Sequence, residues 1–277
     1  MDITLIRTFL DVAATGSFVN ASERLFVTQS AVSLRIQRLE DDLGKPLFTR
    51  SKAGAELTPA GVEFERYALS MLKLWTEARQ HIALPAGFTA SLAIGAQYSL
   101  WPRVGFDLID GMRREMPGLS IRAELGMPDR LTRFLIEGLI EAALLYTPQI
   151  RPGLSVERVF DEDLILCAAW ENATDWADHY VFVDWGPEFL QSHELAFPDQ
   201  SNPGLTLSLG ALAADYIADR KAAAYLPARY ARPFLDAGRL HRVPGAPHFA
   251  YPVWSVIRDD LAPEIKSALE RQLAALA

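Results

Sequence analysis

Thr28, Gln29, Ser30, Ser33, Leu34 and Gln37 place amides and hydroxyls along one side of a short segment, with a single leucine among them. Such groups both donate and accept hydrogen bonds. Glutamine can pair bidentately with adenine in the major groove, serine can meet several bases, and leucine can touch a thymine methyl. The chemistry on offer is reading of base edges rather than bond breaking. Arg35 and Arg38 flank the run, and Arg50 and Lys52 follow shortly after it. Cations there suit phosphate oxygens or the minor groove.

The elements that must position these residues can be read from spacing. Leu5, Ile6, Phe9, Leu10 and Ala13 predict a helix from about Thr4 to Thr15, stopped by Gly16. Ser17 offers an N-cap for a second helix with Phe18, Ala21, Ser22 and Leu25 on its buried face. Val27 closes the turn and Thr28 caps a third helix. In that helix Val32, Ile36, Leu39 and Leu43 form a buried stripe opposite the Gln29–Gln37 side, and Gly44 ends it. KPLFTRSKAGAELTPAG then reads as a short hairpin with Arg50 and Lys52 near its tip. Thr58-Pro59 opens a fourth helix, about Pro59 to Leu84. Its Phe64, Ala68, Met71, Trp75, Ala78 and Ile82 fall at heptad spacing, a seam suited to the same helix of a second chain. Pro85 and Gly87 mark a linker.

From Ser91 the texture changes to strands interleaved with helices. Strands are expected at 92–96, 119–125, 142–147, 155–160, 164–169, 180–185, 205–209, 222–226, 240–243 and 253–258, and helices at 102–116, 128–137, 211–219, 228–236 and 263–276. This alternation predicts parallel sheets in two lobes with a crevice between them. Open α/β sheets take ligands at the carboxyl ends of their strands. The candidates there are Gln97, Tyr98, Ser99 and Trp101, then Thr147, Trp185 and Ser208. Tyr98, Trp101, Tyr146 and Trp185 would supply aromatic walls, and Ser99 a place for an anion such as a carboxylate.

The net charge of −8 argues against a nucleic-acid partner until its distribution is read. Residues 1–90 carry ten Lys/Arg and ten Asp/Glu, so the acidic excess lies beyond them. No apolar run reaches the ~18 residues of a membrane span. MDITLIRTF does not read as a secretory signal, and the single Cys167 leaves no internal disulfide, both fitting a reducing cytoplasm. The sequence carries no G-x-S-x-G, H-E-x-x-H, Walker A or G-x-G-x-x-G pattern, and its five histidines are scattered. Neither catalysis, a metal nor a cofactor is expected. The rival reading is a solute-binding or enzymatic α/β protein with a helical N-terminus that does not bind DNA.

FLDVAATGSFVNASERLFVTQSAVSLRIQRLEDDLGKPLFTR, followed by LTPAG, resembles the DNA-binding domain of LysR-type transcriptional regulators. The resemblance implies a winged helix-turn-helix over 1–58, a dimerisation helix over 59–84 and a hinge linker at 85–90. It further implies a two-lobed, periplasmic-binding-protein-like effector domain over 91–277. Lobe I would span about 91–168 and 258–277, and lobe II about 169–257. The implied partners are double-stranded DNA with two half-sites, a second copy of the chain, a small-molecule effector such as a carboxylate in the crevice and, for an activator, RNA polymerase; tetramers are usual in the family. Leu34 stands where the family often has arginine, which removes a group able to grip guanine. DWGPEFLQSHE, residues 184–194, resembles the HdfR-like branch of the family.

Overall fold

The computed structural model describes residues 2–51, 54–82, 84–198 and 204–276, with Gln80, His81 and Arg103 by backbone alone. The chain forms two compact units whose main division falls between Leu84 and Pro85.

In the first unit α1 spans Ile3–Thr15, α2 Phe18–Arg24 and α3 Gln29–Leu43. Each starts on a side-chain cap. Asp2 accepts from Thr4 N, Ser17 from Asn20 N and Thr28 from Ala31 N. Gly16 and Gly44 end α1 and α3 in the left-handed region, at φ 61° and 69°. Phe9, Val12, Ala21, Val32, Ile36 and Leu39 meet in a fully buried core. The wing is an antiparallel pair, β1 Phe48–Ser51 and β2 Gly54–Leu57. A Cβ on Gly54 would lie 2.5 Å from Gly16 O, so only glycine lets the wing approach the end of α1. α4, Pro59–Ile82, is capped by Thr58, whose Oγ1 accepts from Gly61 N.

The second unit holds two lobes. The elements of lobe I are β3 Ala90–Ala96, α5 Phe106–Glu115, β4 Leu119–Leu125, α6 Pro128–Ile136, β5 Ala142–Leu145 and β6 Leu154–Phe160. The chain then crosses to lobe II through β7 Asp163–Ala168, β8 Phe182–Val183, α7 Pro187–Ala196, β9 Thr206–Leu207 and α8 Ala213–Ala218. Lobe II continues with β10 Ala223–Pro227, α9 Ala228–Asp236, β11 His241–Arg242 and β12 Phe249–Ala250. The chain returns to lobe I with β13 Val253–Arg258 and α10 Pro263–Ala274. The lobe I sheet has the order β4-β3-β5-β13-β6, with β3 parallel to β4 and β5 and with β13 antiparallel to β5 and β6.

Four expectations are corrected here. In lobe II, β7 pairs antiparallel with β10, β11 and β12, while the short β8 and β9 run parallel and a parallel bridge joins Tyr180 to Ala223. The lobe boundaries shift because β7 belongs to the lobe II sheet and β13 to the lobe I sheet, so the chain crosses near 161 and 252. The helix expected from Pro102 begins at Phe106, after a 3-10 turn at Tyr98–Leu100 and a π-type turn at Trp101–Gly105. There the Trp101 ring covers Gly105, where a Cβ would come within 2.4 Å of it. α7 was not expected at all; it buries only Phe189 and His193, too sparse a pattern to read as a stripe. The centre of lobe II is a cluster of rings around Tyr225, which Phe249 approaches to 4.8 Å and Phe189 to 5.7 Å.

Candidate nucleic-acid interface and ligand crevice

The buried stripe of Val32, Ile36 and Leu39 sets the rotation of α3 and so decides which side chains face outward. Thr28, Gln29, Ser30, Leu34, Gln37 and Arg38 are exposed, Leu34 at 67%, and Ser33 is half-buried beside them. The expected reading strip is therefore one continuous surface. Arg35 departs from expectation. Its Nη1 donates to Thr8 Oγ1 of α1 at 3.4 Å, and the side chain is half-buried. Asp2 lies near both Arg35 and Arg38; the Thr4 backbone N–H and hydroxyl hold its carboxyl below the usual range, and the two arginines add to this.

The wing is fixed to α3 by Glu40, whose Oε1 accepts from Leu47 N at 2.7 Å and Phe48 N at 3.2 Å. Arg50 lies 4.1 Å above the Phe18 ring centroid while remaining exposed, so its N–H edge is held in place at the surface. Lys52 lies outside the described residues.

Along α4 the expected seam divides. Phe64 and Ala68 are buried in the unit's own core, Phe64 5.0 Å from Phe9, so they are not available to a partner helix. Heptad spacing alone does not distinguish a partner from the chain's own core. Met71 is half-buried, Ala78 exposed, Trp75 47% exposed and Ile82 86% exposed. Tyr67 and Leu74 add two exposed apolar side chains that the expected seam omitted.

In the second unit the strand ends converge as the topology demands. Gln97 Oε1 accepts from Tyr146 N at 2.9 Å, and Ser99 Oγ donates to the Tyr146 hydroxyl at 3.2 Å. Ser99 is thus engaged with a tyrosine and caps no helix. Burial raises the Tyr146 pKa. Tyr146 stacks on Tyr251 at 3.9 Å, and Trp185 meets Tyr251 edge-on at 5.7 Å. The Trp185 Nε1 donates to Tyr225 O at 2.8 Å. The Thr147 methyl lies 3.9 Å from where a Cβ on Gly186 would stand. Tyr98 faces Tyr230 of lobe II at 6.4 Å, and Ser208 is exposed. Trp101 is the correction in this set: it packs on Gly105 and Phe106 inside the core.

Sequence reasoning missed Arg229 and Tyr251, and read Glu162, together with Asp161 and Asp163, as solvated surface, which its burial corrects. Glu162 is 4% exposed, and its Oε1 accepts from Arg229 N at 3.0 Å at the start of α9. Burial raises its pKa, opposed by the Arg229 N–H and guanidinium. Arg229 also lines two openings on the lobes' flank, one of about 160 Å³ with Pro102, Tyr230, Pro233 and Phe234, and one of about 280 Å³ with Val104, Asp107 and Leu276. An acid so buried carries no periodic signal; only the pairing of distant strands brings it to the crevice.

Residues 3–62 match a family model described as a bacterial regulatory helix-turn-helix protein of the lysR family. Residues 85–275 match the LysR substrate binding domain. The chain belongs to the LysR family. As a LysR-family protein it is a transcriptional regulator with a DNA-binding helix-turn-helix and an effector-binding domain. The regulator HdfR of Salmonella typhimurium is 28% identical to it, covering 92% of each chain. That likeness agrees with the HdfR-like reading of residues 184–194. CbnR, a LysR-family regulator solved with its target DNA, shares the fold at a TM-score of 0.56 and 20% identity over 100% of both chains. LysG from Corynebacterium glutamicum, solved with the effector Arg bound, has a TM-score of 0.56 and 19% identity, covering 100% of this chain and 98% of LysG.

Proposed function

We propose that this regulator binds two half-sites in double-stranded DNA as a homodimer, each α3 entering a major groove. The observation that carries this reading is the strip of Gln29, Ser30, Ser33, Leu34 and Gln37, set outward on a helix whose opposite side is fully packed. Thr28 and the α3 N-terminus suit a phosphate, and Arg50 and Lys52 the backbone beside the wing. Arg38 joins them; Arg35 acts by bracing α3 against α1. Pairing runs through the exposed apolar side of α4, with Met71, Trp75, Ala78 and Ile82 in the contact.

The effector in this reading is a small molecule such as a carboxylate, held in the interlobe crevice by Gln97, Tyr98, Ser99, Thr147, Trp185 and Ser208. Arg229 supplies a cation close to that place. An effector acts only to the extent that it binds one arrangement of the lobes better than another. Tetramers through the effector domains, contact with RNA polymerase in the case of activation, a cytoplasmic location and the lack of catalytic activity belong to the same reading. Selection from a random-sequence duplex pool tests it. Gln29→Ala and Ser33→Ala should each weaken binding to the enriched duplex by roughly tenfold while leaving the circular dichroism unchanged. Unchanged affinity in both would remove the reading.

A further inference from the structure

Phe26 lies in the turn between α2 and α3 and is 94% exposed, more than any other large apolar side chain among the described residues. Its neighbours Leu25 and Val27 pack against the core, so the turn aims this one ring away from the protein. Its φ is 52°, in the left-handed region, where a bulky side chain is strained. Glycine or asparagine would hold the same turn more easily. The fold therefore gains nothing from a phenylalanine here, and pays for its ring with both strain and hydration.

What the ring can reach is set by the chain. Phe26 stands three positions before Gln29, a span of at most about 11 Å. Thr28, Gln29 and Ser30, all exposed, continue the surface. Residues 1–90 carry ten cations against ten anions, so the DNA-binding part of the chain as a whole has no basic excess. An interface without a basic excess draws less on counterion release and needs apolar contact to hold.

We infer that Phe26 is a DNA contact, its ring lying on deoxyribose of the strand that borders the groove entered by α3. The inference rests on the DNA-binding reading above. Sugar faces are alike at every step, so the contact adds affinity and carries no sequence information. Roughly 50 Å² of ring buried in this way corresponds to about a tenfold gain in affinity.

The test uses the full-length protein with two probes, a random-sequence duplex pool and the duplex enriched from it. Phe26→Asn keeps the left-handed turn and relieves its strain. It should raise or preserve the melting temperature while weakening binding to both probes by about tenfold. The salt dependence should keep the wild-type slope, because no cation is lost. Phe26→Tyr should restore affinity. Wild-type affinity in Phe26→Asn overturns the inference. So does a loss of affinity that sedimentation traces to a changed oligomer, which would assign the ring to a second copy of the chain. Gln29→Ala in the same assay separates the two readings: if it weakens binding and Phe26→Asn does not, only the contact at Phe26 fails.

Discussion

The rings of Tyr146 and Tyr251 stack at 3.9 Å, 20° from parallel, joining the end of β5 to the segment by which the chain returns from lobe II. Both rings are buried, and removing one leaves a void that the other cannot fill. Tyr251→Ala should cost roughly 3–5 kcal/mol in urea unfolding of the effector domain. Tyr251→Phe, which keeps the stack, should cost under about 1.5 kcal/mol. Equal losses in the two variants would show that the hydroxyl, not the stack, matters.

The two faces of α4 should answer differently to substitution. Phe64→Ala removes a ring from the first unit's core and should lower its stability by roughly 3–5 kcal/mol. Trp75→Ala with Ile82→Ala touches exposed positions and should leave monomer stability within about 0.5 kcal/mol per site. The same pair should weaken dimerisation more than tenfold in sedimentation equilibrium, by removing about 2 kcal/mol or more of buried contact. An unchanged dimer would move the pairing surface elsewhere.

Leu34 occupies an exposed place on the reading strip. Leu34→Arg should strengthen binding to random duplexes and steepen the salt dependence by about one unit of log–log slope. It should also favour guanine at one position of the enriched site, a bidentate contact that leucine cannot make. Selection before and after the substitution measures both effects.

His193 is enclosed by the rings of Tyr180, Phe182, Phe189, Phe197, Tyr225 and Phe249, and its Nε2 is buried without a hydrogen-bond partner. Burial lowers its pKa from the ordinary 6.5. The folded protein therefore holds it neutral while the unfolded chain takes up a proton near 6.5. The stability it permits is present above that value and is lost as pH falls toward the folded pKa. The slope in that window is at most about 1.4 kcal/mol per pH unit. Melting temperatures between pH 8 and pH 5.5 should fall less for His193→Phe than for the wild type, and parallel curves would place the acid sensitivity in other groups.

The outward polar strip of α3 was legible because Gln29, Ser30 and Ser33 are polar where the helix period calls for neither core nor charge. Caps were equally plain: Thr28, Gly44 and Thr58 stand where expected. Strands Leu119–Leu125 and Val253–Arg258 and helix Ala228–Asp236 match their expected limits. What escaped was set by distant pairing. β7 and β13 exchange lobes through partners on strands far away in sequence, which no local pattern records. Phe64 and Trp75 share one heptad-spaced seam yet face different environments. Phe26 reads as an ordinary aromatic residue until its backbone conformation is known.

The two passages of chain between the lobes are bonded to each other, since Tyr251 N donates to Glu162 O at 2.7 Å. A pair of adjacent tethers pinned together permits swinging about one line and resists twisting or sliding. Whatever occupies the mouth between the halves can therefore report itself chiefly as one number, the angle to which they open. Any signal passed on from that mouth would be one-dimensional to that extent.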